Sequence, residues 1–510
     1  MVKWQWAPTE CRGEGLISLD KYSVYKNHSC EAEIFSDFNS GGRNYFHLIH
    51  YLFSMQIKNK LNLFDFTMIM VSFVIGMGIF RTPVNVAKDS ATPFIFFSIW
   101  IAGGLVALCG ALTYAEIGSR YPVTGGYYKI FSYAYHPSIA FAVNCIILVS
   151  NAASMAAVAL VGAEYISAVA FKDMAQLQTV QIIIAIASIL LFYGVNLLGL
   201  KMSARAQNVL TIIKISMILL LITPLFFADL PDQSAFVSSS KISVGLMEYV
   251  KAFGLGLVAV SFTYGGYQQV INFGEEVKNP ARNIPRAVFT GLFIIVVLYL
   301  GINYAYVKVI GFEQLKTSTN ISAIMAGYIF GEAGGRVMSF LLFFSVLAYV
   351  NVVLMSNPRV MQAMSEEGVL PKVFQKRTAK NDVLFTALTA FAALGALIVF
   401  WAKTFDEILS FTIFLDSFGM ALSAATIFII RKRTAHLNNT GIYQMKLFPL
   451  LPIIFITAYF FVAISIFIDK PNTGLLGLGI LGSFIILYFI TRKMKGAKAP
   501  EEKDDIDSPA

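Results

Sequence analysis

Charged residues are scarce in this chain. Asp, Glu, Lys and Arg make up 14% of its 510 residues, where a soluble domain carries about a quarter. That leaves too little charge to coat a water-facing surface, so an ordinary soluble globular protein is excluded. Cysteine is also sparse: Cys11, Cys30, Cys109 and Cys145 are scattered, with no Cys-x-x-Cys pair and no Cys/His cluster. Neither a disulfide framework nor a thiolate metal site is indicated. The histidines at His28, His47, His50, His136 and His436 are equally dispersed, and no nucleotide-binding motif occurs. A membrane enzyme would need convergent nucleophile, acid and base groups, and the apolar segments hold no His/Asp/Ser set. We expect no cofactor, no metal and no catalytic residue, and ATP-driven pumping is disfavoured.

What is abundant is hydrocarbon. Hydrophobic residues make up 57% of the chain, with 44 Phe and a mean hydropathy of +0.67. Apolar runs of about 20 residues, enough to cross a bilayer, recur along the chain. Twelve candidate spans fall near 63–84, 93–117, 127–168, 178–199, 204–228, 246–276, 287–310, 335–360, 382–402, 406–430, 447–468 and 473–492. The third is long and is expected to begin as a cytoplasmic helix; the sixth is expected to be two half-helices. The fold class is an all-α integral membrane protein. Its net charge of +9 does not point to nucleic acid, because Lys and Arg lie in short loops between apolar runs. Alternate loops carry the excess, as in Lys278, Arg282 and Arg286, or Arg431, Lys432 and Arg433. Basic loops stay on the cytoplasmic side, which puts both termini there and agrees with an even number of spans. A plasma membrane, multi-pass location follows.

Residues 1–60 read as an N-terminal cytoplasmic extension, either disordered or the product of an early start assignment ahead of Met55. A Ser-rich external loop at Phe236–Ser240 separates a five-span unit at 61–228 from another at 243–433. Spans 11 and 12 follow at 447–494, and residues 495–510, charged and poor in apolar groups, read as a disordered cytoplasmic tail.

Two spans are interrupted by paired glycines. Span 1 reads Phe73-Val74-Ile75-Gly76-Met77-Gly78-Ile79-Phe80, and span 6 reads Val260-Ser261-Phe262-Thr263-Tyr264-Gly265-Gly266-Tyr267. A helix broken mid-bilayer exposes backbone groups that hydrocarbon cannot satisfy, so the break persists only where it is buried in protein or lines a cavity. Matching breaks in two halves mark the substrate site of a carrier. Glycines in spans also serve close helix packing, and a single break would favour that reading; the pair favours a site. Freed N–H groups around Ile75, Gly76, Met77, Gly78 and Ile79 suit a carboxylate. Carbonyls of Ser261, Phe262 and Thr263, ahead of Gly265, suit an ammonium. Phe262 and Tyr264 are expected to close over an apolar side chain.

Four motifs together resemble the amino acid–polyamine–organocation superfamily of permeases. They are Ile75-Gly76-Met77-Gly78-Ile79-Phe80 with Pro83, and Tyr114-Ala115-Glu116-Ile117-Gly118-Ser119-Arg120-Tyr121-Pro122 followed by Gly125-Gly126-Tyr127-Tyr128. The others are Glu276-Val277-Lys278-Asn279-Pro280 with Arg282-Asn283-Ile284-Pro285-Arg286-Ala287, and Met364-Ser365-Glu366-Glu367-Gly368-Val369-Leu370-Pro371. The resemblance covers about 63–433 and implies a five-plus-five inverted repeat, with substrate between broken spans 1 and 6 and two extra C-terminal helices. Two departures stand out. Met77 occupies a position where the family usually has a small residue, often Ser or Thr. Thr263-Tyr264-Gly265-Gly266-Tyr267-Gln268 replaces the usual Phe-Ser-Gly-Phe-Glu.

Lys214 lies in mid-span 5 and should face the bundle interior with a partner. Burial penalises its charged form, which makes it a candidate for proton coupling; a static tether between helices is the competing reading. The resemblance implies that some sodium-independent members place a lysine here, where sodium-coupled relatives hold their ion. Asp416 in span 10 and Arg81 just past the span 1 break are a candidate outer gate; for Asp416 a proton-carrying carboxylate and a local hydrogen bond are the alternatives. Glu116 and Glu276 sit at cytoplasmic helix ends and read as solvated or gate-region ion pairs of small individual weight. The reading as a whole is a secondary transporter of an amino acid or related amine in the lipid bilayer, coupled to protons or working by exchange. Few acidic residues face the expected pocket, which favours a neutral amino acid. A polyamine or cationic amino acid permease, or a nutrient sensor on the same scaffold, is the alternative. If the gate reading is right, exchanging the charges of Arg81 and Asp416 together should restore uptake lost in each single reversal; full transport by Asp416→Asn would discard it.

Overall fold

The computed structural model describes residues 16–19, 22–25, 61–171, 176–226, 246–318, 321–401, 405–435 and 441–494. The Ser-rich stretch 236–240, the tail 495–510 and most of 1–60 lie outside the described residues. The chain divides into two units, one ending at Lys58 and one starting at Asn59. In the first, strands β1 (Leu16–Leu19) and β2 (Tyr22–Tyr25) pair antiparallel, with Leu16 opposite Tyr25. The all-α expectation did not include this hairpin.

The second unit is helical. Among the described residues, 9 helical segments are long and apolar enough to cross a bilayer, and Ile321–Phe330, Phe385–Phe400 and Gly474–Ile490 are shorter apolar helices. Every expected span holds a helix. The first is split into α1 (Leu63–Val74) and α2 (Gly78–Asp89). Then come α3 (Pro93–Arg120), α4 (Gly126–Ala134), α5 (Pro137–Ala170), α6 (Leu177–Leu197) and α7 (Leu200–Ile222). After residue 245 follow α8 (Leu246–Tyr264), α9 (Pro280–Val309), and the short α10 (Phe312–Thr317) and α11 (Ile321–Phe330). The chain continues as α12 (Gly334–Glu366), α13 (Phe385–Trp401), α14 (Phe405–Arg433), α15 (Leu450–Asp469) and α16 (Pro471–Met494).

Local chemistry explains where these helices start. Asn62 caps α1 by accepting from the Asp65 N–H at 2.8 Å. Thr92 caps α3 just ahead of Pro93, and His136 caps α5 just ahead of Pro137. That second start separates α4 from α5, as the length of the third span foreshadowed. Helix α9 begins seven residues before its expected start, at Pro280, behind Asn279 in a left-handed conformation (φ 47°). Pro285 cannot donate to the Ala281 carbonyl, and the Ser119 hydroxyl of α3 does so instead at 2.9 Å.

Both interruptions are real. Residues 75–77 are non-helical between α1 and α2. Helix α8 stops at Tyr264, and Gly265-Gly266 leads into 3₁₀ turns at Tyr267–Asn272 and Gly274–Glu276. The two breaks touch: a Cβ on Gly78 would lie 2.8 Å from Thr263 Oγ1, and one on Gly266 would lie 2.5 Å from the Phe73 carbonyl oxygen. Gly266 also sits at φ 108°, a region L-residues avoid. Gly266→Ala should therefore lower thermal stability by about 2 kcal/mol or more, from backbone strain of roughly 1–3 kcal/mol plus the clash. Gly479→Ala, with nothing within 4 Å of the added carbon, should leave the melting temperature unchanged, as read by a thermal unfolding scan of purified protein.

Candidate functional site

A cavity of ≈ 90 Å³ opens where the two breaks meet. One wall is the α1/α2 break, through Gly76, Met77 and Gly78. The opposite wall is the α8 break, through Ser261, Phe262, Thr263 and Gly265. Helix α2 starts at Gly78 with no side-chain cap; Phe80 N–H donates to the Met77 carbonyl at 3.1 Å, while the Gly78 and Ile79 N–H groups have no intrahelical acceptor and stand at the positive end of the helix dipole. That end suits an anion.

Not every freed backbone group is offered to the cavity: the Ile75 and Gly76 N–H groups, expected to be free, donate to the Val71 and Val74 carbonyls, each at 2.8 Å. The Tyr299 hydroxyl of α9 is directed at the Val74 carbonyl (3.0 Å) and the Thr263 carbonyl (3.3 Å), bridging both breaks. Gly265 N–H donates to the Phe262 carbonyl at 3.2 Å, and Gly266 N–H donates to the Gln268 side chain at 3.0 Å. Lys214 of α7 is fully buried and donates to the Ile75 carbonyl at 2.5 Å, to Ser72 Oγ at 3.2 Å and to the Ser72 carbonyl at 3.4 Å. Its partners belong to span 1, as a buried lysine requires, but they are neutral acceptors; no carboxylate pairs with it among the described residues.

Of the residues expected to form the site, Gly76, Met77, Gly78, Ser261, Phe262, Thr263 and Gly265 line the cavity together, and Asp416 joins them. Ile75, Ile79 and Tyr264 are buried and do not line it. Tyr264 was expected to close over a substrate side chain; its ring instead packs against Trp100 and Tyr299, with centroids at 5.9 and 5.1 Å. Met77, in place of the family's small residue, is buried among Val158, Val161 and Val346. Arg81 exerts its charge on Glu164 and Tyr165, and no ion pair joins it to Asp416 among the described residues. Asp416 accepts from Ser150 Oγ at 3.1 Å.

Several lining residues escaped the sequence reading. Asn151 and Ser154 come from α5, and Tyr349 and Asn357 from α12; Asn151 donates to Asn357 at 2.7 Å across the cavity wall. Amides inside apolar runs were a usable signal, since hydrocarbon does not tolerate unpaired ones. A second polar chain runs behind the site. Asn196 donates to Asn351 at 2.9 Å and Asn351 to Gln207 at 2.7 Å; Gln207 in turn meets Ser72, the partner of Lys214.

On the basic-loop side the carboxylates form ion pairs, one of the two readings open for them, and are buried rather than solvated. Glu276 is buried and accepts from Arg359 at 2.6 Å. Glu116, fully buried, accepts from Arg120 at 2.7 Å, from Arg431 at 2.7 and 2.6 Å, and from the Met445 N–H at 2.9 Å. Burial, and then the Glu116 charge, hold the Tyr443 hydroxyl above its ordinary pKa. Sequence distance hid these partners, since Arg431 and Met445 lie more than 300 residues from Glu116.

Residues 61–490 match the family model described as amino acid permease. The chain belongs to that family. It is 28% identical to a serine/threonine exchanger of Bacillus subtilis over 86% of this chain and 98% of that protein. It is 25% identical to the large neutral amino acids transporter small subunit 2 of Oryctolagus cuniculus, over 92% of this chain and 86% of the relative. It is 26% identical to the cystine/glutamate transporter of Homo sapiens, over 82% and 83%. The matched range covers both breaks and every lining residue of the cavity, so this permease carries its cavity within the part that defines the family. Removing the hydroxyl that bridges the breaks should loosen them: Tyr299→Phe is expected to cost about 1 kcal/mol for the one shared hydrogen bond, the Val74 carbonyl still accepting from Gly76 N–H at 2.8 Å, read as a lower melting temperature. An unchanged transition would mean that other donors serve them.

Proposed function

We propose that this chain is a secondary active transporter that moves an amino acid across the plasma membrane by alternating access, with both termini cytoplasmic. The observation that carries this reading is the meeting of two interrupted helices on one cavity. There the start of α2 offers N–H groups to a carboxylate, and the end of α8 offers the Ser261 carbonyl to an ammonium. A small zwitterion is the ligand such a pair of backbone termini complements. The relatives named as exchangers and transporters of amino acids support the same substrate class, and the first supports exchange.

Lys214 is the coupling residue in this proposal. It holds the Ile75 carbonyl inside the span 1 break, so gain or loss of its proton would change how firmly that break is held. A proton-linked cycle and an exchange cycle gated by Lys214 both use this contact. Arg81 and Asp416 act as an outer closure only if a rearrangement brings them together. The narrower expectation of a neutral substrate rested on few acidic groups facing the cavity, and Asp416 on its wall removes that ground.

Proteoliposomes test the proposal. Uptake of a labelled amino acid should rise several-fold when unlabelled amino acid is trapped inside or when the outside is made acidic, the first result marking exchange and the second symport. Lys214→Ala should abolish the response to whichever gradient drives the wild type. Absence of uptake under every gradient, with folded protein in the vesicles, would end the carrier reading.

A further inference from the structure

The cavity wall carries a single charged side chain among the described residues, Asp416 of α14. Its carboxylate is provided with one hydrogen bond, from Ser150 of α5, whereas an ionised carboxylate has room for about four. The groups it faces from other elements are neutral. Its charge reaches Tyr127 of α4, Tyr349 of α12 and Tyr459 of α15, and Asn151 and Asn357 are occupied with each other. Lys214, another buried charge of the membrane region, is turned to the span 1 break instead. A zwitterion seated on the two breaks uses the N–H groups of α2 for its carboxylate and the Ser261 carbonyl of α8 for its ammonium, and this leaves Asp416 unmatched. A lone carboxylate in a partly dehydrated chamber is costly without a counter-charge.

We propose that the counter-charge is brought by the substrate: Asp416 receives a cationic side chain, and the transported molecule is a basic amino acid. A diamine is disfavoured, because it lacks a carboxylate for the start of α2. This inference rests on the carrier reading above and narrows it to a substrate class.

Lysine and norleucine test it, since they share a four-carbon stem and differ in whether it ends in an ammonium or a methyl group. Purified wild-type protein should be half-saturated by lysine at a concentration at least about tenfold below that for norleucine, the effect of one charge-assisted contact. Thermal shift and competition with labelled uptake both read this without any variant. Asp416→Asn should shrink the lysine-to-norleucine ratio by about tenfold or more. Equal affinities in the wild type, or a preference for norleucine, would overturn the assignment. So would a variant that weakens both ligands equally and is rescued by combining Arg81→Asp with Asp416→Arg, because that pattern belongs to a gate. If the wild type binds and transports no amino acid at all, the carrier reading itself fails, a result distinct from binding that ignores the ammonium.

Discussion

The architecture depends on finding partners for backbone groups that two interrupted helices expose far from water. An unbroken helix satisfies its own amides and carbonyls; a broken one cannot. Tyr299 answers for a carbonyl on each break, and Lys214 answers for the Ile75 carbonyl between them. The breaks are also pressed together where Gly78 meets Thr263 and Gly266 meets the Phe73 carbonyl. They therefore behave as one unit, and a movement of either half-helix must disturb the other. What these side chains leave unserved, at the start of α2, is what a ligand can use.

Beneath the cavity, the basic-loop side is closed by charge rather than by hydrocarbon. Glu276 with Arg359, and Glu116 with Arg120, are buried pairs, and the half-buried Arg431 joins Glu116. Removing one partner of such a pair costs about 3–5 kcal/mol because the remaining charge is left without water. The same pairs become cheaper to separate once water reaches them. Backbone contacts join this closure to the second break, as Gly125 N–H donates to Asn272 and Leu61 N–H to Glu276. Opening this side would thus strain the 3₁₀ turns that follow Gly266.

Near the two breaks, charge is divided between two addresses. Lys214 faces the hinge of span 1, backed by the chain of Ser72, Gln207, Asn351 and Asn196. Asp416 faces the cavity, backed by Ser150. Between them the cavity lining holds polar but neutral groups.

The membrane class, the span positions, both breaks and the lysine were legible in the sequence. Each is a local property: hydropathy over about 20 residues, glycine pairs in apolar runs, a charge where hydrocarbon does not tolerate one. The backbone part of the site was readable for the same reason, because a break names its own residues. Side-chain membership was not. Tyr264 looked like a lid and turned into the aromatic packing with Trp100 and Tyr299, while Asn151 and Asn357, separated by 206 positions, came together on the cavity wall. Glu116 and Glu276 were open to reading as solvated or as ion pairs and proved to be buried pairs, with Arg431 and Arg359 reaching them from helices far along the chain. Which face of a helix meets which neighbour is settled by packing among all the spans at once, and only the tertiary structure holds that information.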